Sequence, residues 1–161
     1  MDERRIGLAL ALRELGISGD VSDFASRLIL QKTVYLIEEA GIKLSYPFNW
    51  YLRGPYSPAL TRDLFDLASN REDIDGWVLD EHSRSVAQRL RPLISDEPDE
   101  EPAAKARRLE LLASLHYLSR RRGVDLRDAE QATAQLALNG KHFNNAEVVA
   151  AIQRLRDVDL V

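Results

Sequence analysis

Three glycines, Gly16, Gly41 and Gly123, each close a stretch in which aliphatic residues recur every three or four positions. That punctuation constrains the fold more than any other feature of the chain. A recurrence near 3.6 places the apolar side chains on one stripe of a helix, and a glycine just past the run supplies the left-handed residue on which helices end. Leu8, Leu12 and Leu15 predict a first helix over residues 2–15. Leu30, Val34 and Ile37 predict a second, opened by Ser22 or Asp23. Leu109, Leu111, Leu112, Leu115 and Leu118 predict a long one over 103–122.

Between these anchors the pattern changes. Residues 46–53 are aromatic-rich, and 48–52 read as a short strand stopped by Gly54 and Pro55, with Trp77 to Asp80 expected to return beside Tyr51 as the other half of a hairpin or wing. Ser57 followed by Pro58 is a helix start, because the hydroxyl accepts an orphan amide and proline at the first position forfeits no needed donor. The third helix, 58–69, is expected to bury Leu60, Leu64 and Leu67, with Phe65 and Ala68 widening the stripe and Arg62, Asp63 and Asp66 in water. Val86, Leu90, Leu93 and Ile94 predict a fourth helix interrupted at Pro92. Residues 95–102 hold two prolines, five acids and no apolar side chain, the composition of a solvated, mobile loop between subregions 1–94 and 103–161. A helix over 126–138 follows, and a last one opens at Asn144, with Glu147 reaching back as a capping box. The expected fold is mainly α: six or seven helices in one compact domain of 161 residues, with a short, winged-helix-like β-hairpin in the first half.

Composition narrows function mostly by exclusion. The chain has no cysteine, which removes disulfides, thiol catalysis and thiolate metal ligation. No apolar run approaches the roughly 20 residues a membrane span needs, and the apolar segment after Met1 is broken by Arg13 and Glu14 without a cleavage site. The expectation is a cytoplasmic protein with no membrane partner. A net charge of -4 argues against a general nucleic-acid binder, which displays a basic excess.

No residue set has the spacing of a catalytic, metal or cofactor site, so none is assigned. His82, His116 and His142 are scattered, and His116 among leucines reads as a packed histidine. Gly54 and Gly76 are isolated, which leaves no phosphate-binding loop. Trp50, Tyr51, Tyr56 and Arg53 around a glycine turn form either a recognition surface or a packed corner; in the second case Arg53 pairs with Asp63 or Asp66. Arg120, Arg121 and Arg122 sit at a helix C-terminus, where cations suit the macrodipole, and with Arg62 they are the candidates for phosphate contact. The acidic run 96–101 is a solvated loop or an electrostatic lure for a basic groove.

The segment Leu30-Gln31-Lys32-x-x-Tyr35-Leu36, followed by Gly41, Tyr51, Gly54-Pro55-Tyr56-Ser57-Pro58 and Leu60, resembles the Panacea and SocA-type antitoxin domains. It is also similar to small bacterial relatives of uncharacterised role and to the toxin-binding C-terminal domain of macrodomain antitoxins that oppose DNA ADP-ribosyltransferases. The likeness covers about residues 24–67, with an echo over 109–118. Arg53 stands where those relatives often have tyrosine, and the macrodomain with its hydrolase activity is absent. The resemblance implies a helical interaction module without a reaction of its own, whose partner is a co-encoded toxin or defence effector.

Three expectations follow. The first is a non-enzymatic module that occludes a protein partner, with Gln31, Lys32, Trp50, Arg53 and Tyr56 as the displayed contact residues. The second is a winged-helix-like transcription regulator placing residues 58–69 in the major groove, although Arg62 stands there against Asp63 and Asp66. The third is a small enzyme using Tyr56, Arg53 and a carboxylate. Homodimerisation is open under each.

Overall fold

The structure, a computed structural model, describes residues 2–70, 74–95 and 97–161. Among them are seven helices and one two-stranded antiparallel sheet: α1 Glu3–Leu15, α2 Phe24–Ala40, β1 Asn49–Tyr51, β2 Gly54–Tyr56, α3 Pro58–Ser69, α4 Glu81–Ser95, α5 Pro102–Arg122, α6 Ala129–Leu138 and α7 Asn145–Asp157. The expected mainly α fold is the one observed. Asp2, Asp23, Ser57 and Asp128 accept backbone amides at the starts of α1, α2, α3 and α6, and Asn144 and Glu147 complete the capping box of α7. Gly16 and Gly123 close α1 and α5 at φ 69° and 68°.

One apolar cluster runs from Leu8 to Leu160. α5 lies along α2 at its centre, α1 packs on α4, and α6 and α7 pack together and against α5. None of the described helices is long and apolar enough to cross a membrane.

Four expectations are corrected. The hairpin partner of β1 is β2, in the register Asn49 with Tyr56, Trp50 with Pro55 and Tyr51 with Gly54. Only Leu52 and Arg53 lie in the turn, so a local two-residue connection wins over the distant segment 77–80, where Trp77 and Val78 are exposed and unpaired with any strand. On α3 the apolar stripe is narrower than expected: Phe65 and Ala68 are exposed, whereas Asp63 is buried. The Asp63 carboxylate accepts from the Tyr46 hydroxyl at 2.6 Å and pairs with Arg4 at 3.2 Å, with the Arg4 guanidinium 4.5 Å over the Tyr46 ring. It is therefore not a partner of Arg53.

α4 continues through Pro92 to Ser95, because Pro92 and Gln88 sit on the solvent side while Leu93 and Ile94 are buried. The carbonyl of Gln88 that loses its donor can face water, and burial of the last turn outweighs the lost bond. The acidic stretch is not simply solvated. Glu100 takes a two-pronged contact from Arg108 at 2.8 and 2.9 Å, Glu97 pairs with Arg154 at 3.0 Å, and Arg108 also donates to the carbonyls of Leu93 and Ile94. Position 96 of that stretch lies outside the described residues, as do 71–73.

Candidate functional site

The hairpin β1–β2 is held down by two lysines from opposite ends of the chain. Lys32, from the middle of α2, is fully buried and donates to the Pro55 carbonyl at 2.5 Å. Lys141, from the loop between α6 and α7, is also buried and donates to the Leu52 carbonyl at 2.6 Å. Each terminal nitrogen thus donates to a hairpin carbonyl, Pro55 in β2 for Lys32 and Leu52 in the turn for Lys141. Gly54 lets the turn sit this low. Its φ is 92°, and a Cβ there would lie 2.6 Å from the Ser114 hydroxyl of α5. A side chain at 54 is excluded on both counts.

Glu110 of α5 is the carboxylate of the cluster. It is buried, 3.6 Å from the Lys141 ammonium, and its Oε1 has no hydrogen-bond partner. Two lysines therefore face one carboxylate in the interior. Burial holds Lys32 down to about 7, the Glu110 charge opposing the shift and Lys141 adding to it. Lys141 is lowered too, again by burial, with Glu110 opposing. Ser114 Oγ and Thr33 Oγ1 are likewise buried without partners.

Outside this cluster the hairpin tip is open. Leu52 is 87% exposed and Tyr51 45% exposed, with the Tyr51 ring edge-on to Tyr56 at 5.2 Å. Around the tip, cations lie over rings: Arg53 over Phe24 at 5.5 Å, Arg107 over Phe143 at 4.3 Å, Arg121 over Tyr117 at 5.4 Å, and both Arg122 and Lys141 over Trp50 at 5.2 and 5.3 Å. Stacking of this kind holds guanidinium groups in place while leaving their edges free to donate. Two cavities flank the turn. One, of about 350 Å³, is lined by Leu52, Arg53, Arg107, Glu110, Lys141 and Phe143 among others. The other, of about 200 Å³, is lined chiefly by Phe24, Ala25, Leu28, Ala103 and Ala106, and shares Arg53, Arg107 and Glu110.

The residues singled out from sequence separate into three groups. Arg53 is exposed in the turn, whereas Trp50 is partly buried against the core, 5.4 Å from the Tyr117 ring, with Arg122 over its ring. Gln31 and Lys32 are not displayed; they are 3% and 0% exposed. The Gln31 amide accepts from the Ser57 backbone N–H and donates to the Ser57 carbonyl, both at 2.9 Å, so it builds the corner from inside. The reason is the pitch of α2, which turns 31 and 32 toward the hairpin and α5. Tyr56 is half-buried, its hydroxyl shared with Thr61 at 2.7 Å, and it lines neither cavity.

Arg62 is exposed on α3, remote in sequence and element from Arg120 to Arg122 on α5. Arg121 is engaged by Glu39 at 3.4 Å and Arg122 by the Asn139 side chain at 3.0 Å. Sequence reasoning missed Arg107, Glu110 and Lys141. Glu110 carried a signal, since a carboxylate interrupts the run Leu109 to Leu112 on a face that must be buried. Lys141 carried none.

No family model, no curated protein and no solved structure matches the chain.

Proposed function

We propose that this chain is a non-enzymatic protein-interaction module that docks a partner protein on the hairpin tip and occludes the partner's working surface. The observation that carries the reading is Leu52: a large apolar side chain almost fully exposed in a turn held by buried lysines, at its own carbonyl and at that of Pro55. An apolar anchor held rigid before binding costs little entropy to dock, and Tyr51, Trp50 and Arg53 beside it are the residue types that dominate interface energies. The resemblance of residues 24–67 to Panacea and SocA-type antitoxin domains supports the same reading and makes a co-encoded toxin or defence effector the partner class. The test is co-expression with the product of the adjacent gene. A stable complex is expected, lost on Leu52→Asp and on Arg53→Glu while the thermal midpoint of the isolated chain stays within about 2 °C, as for other surface substitutions. Failure to form any complex, or survival of the complex in both variants, rejects the reading.

The DNA-binding alternative has weaker support. The exposed side of α3 offers Arg62 beside Asp66 and Phe65, and the triple arginine is partly spent on Glu39 and Asn139. A salt-sensitive mobility shift with the chain's own promoter DNA, lost on Arg62→Ala, would reverse this ranking.

A further inference from the structure

The two cavities beside the hairpin share Arg53, Arg107 and Glu110, yet their walls are unlike. The larger is polar, with Lys141 and Glu110 in it; the smaller is walled by Phe24, Ala25, Leu28, Ala103 and Ala106. The charges at the seam are unequally committed. Arg107 pairs with Glu147 at 3.1 Å and donates to the His142 carbonyl, and Lys141 is taken up by Glu110 and the Leu52 carbonyl. Arg53 makes no ion pair among the described residues. Its guanidinium lies over the Phe24 ring, on the border between the polar and the apolar compartment.

One uncompensated guanidinium next to an apolar trough selects a particular chemistry. We propose that this groove binds a small organic monoanion, a carboxylate on a compact apolar ring or chain, with the carboxylate on Arg53 and the apolar body against Phe24, Leu28 and Ala103. The planar guanidinium matches a carboxylate edge to edge with two parallel bonds, and it lies 5.5 Å from the centre of the Phe24 ring that would share the ligand's apolar body. The apolar body removes its own surface and that of the trough from water, the main source of affinity in such sites. A single negative charge fits better than two, because the remaining cations already have partners and the Glu110 carboxylate lies close by to repel a second. The proposal does not depend on the docking of a protein partner and can fail or stand without it.

The full chain titrated with 2-naphthoate, 2-naphthylmethanol and acetate tests it. Naphthoate is expected to saturate, the neutral alcohol and the bare carboxylate to bind at least about tenfold more weakly, and amide resonance shifts to concentrate at Phe24, Arg53, Ala103 and Ala106. Arg53→Met should weaken naphthoate about tenfold. Ala103→Glu should weaken it as well, and that position tolerates the change, being exposed in the first turn of α5 where a carboxylate suits the helix N-terminus. An unchanged thermal midpoint in both variants excludes misfolding as the cause. Equal affinity for naphthoate and the alcohol, wild-type affinity in Arg53→Met, or no saturable binding overturns the proposal.

Discussion

Helices α2 and α5 carry two buried polar contacts within one interface, and they are built on opposite principles. Tyr35 and His116 form a neutral, closed pair: the tyrosine hydroxyl meets Nδ1 at 2.8 Å, and the two rings meet edge to face at 5.6 Å. About one turn away, Lys32 sits in the field of Glu110 and Lys141, with more positive than negative charge and with orphaned hydroxyls nearby. The first contact carries no net charge and is closed off from solvent, which is what packing requires. The second costs stability that an apolar side chain would not, and it lies under the exposed tip and beside both cavities. The difference separates the neutral, packed end of the interface from the charged end beneath the hairpin.

The comparison can be broken by pH. Lys32 has a folded value near 7 against 10.5 when free, so the unfolded chain binds the extra proton between those limits and stability from this group rises as pH climbs from about 7 to about 10.5. The span corresponds to at most about 5 kcal/mol. Lys32→Met should therefore show its most favourable stability relative to wild type near pH 7 in urea titrations, with the advantage shrinking toward pH 10; a pH-independent difference would mean the lysine is charged and well paired.

His116 should act at the other end of the scale. Burial first, then Arg120 and Arg121, hold it down to about 4, so its contribution is intact above about 6.5 and is lost as pH falls toward 4. The loss is about 3 kcal/mol at most, and His116→Gln should flatten that part of the acid limb. Tyr35→Phe removes the hydroxyl and strands Nδ1, costing about 1.5 kcal/mol at neutral pH; a neutral result would show the pair to be incidental. At the exposed rim of the same interface, Arg121→Ala breaks the Glu39 pair and should cost under about 0.5 kcal/mol, vanishing in high salt.

How much of this could be read from the chain depends on distance along it. Helix ends were legible because their causes are local: Asp23, Ser57, Asn144 with Glu147, Gly16 and Gly123 act on residues within a turn. The packed character of His116 was legible from its leucine neighbours. The hairpin was half legible: the strand around Trp50 shows in the sequence, but the two-residue turn at Leu52 and Arg53 makes the adjacent segment a cheaper partner than the distant Trp77 to Asp80. Asp63 and the lysines were opaque for a different reason. Whether a charged side chain is buried depends on partners such as Arg4, Tyr46 and Glu110, which reach it only through the tertiary fold.

The Gln31 amide has one more consequence. By giving to and taking from the same backbone residue, it behaves as a single rung of a third strand laid against Ser57. A true strand can slip by two residues and recover its bonds, whereas an isolated amide reads the N–H and C=O of one residue. The chain between α2 and α3, hairpin included, is thus stapled at a fixed length, and insertions or deletions between positions 31 and 57 would have to be absorbed before the hairpin, in the segment 42–48, if the tip is to keep its place.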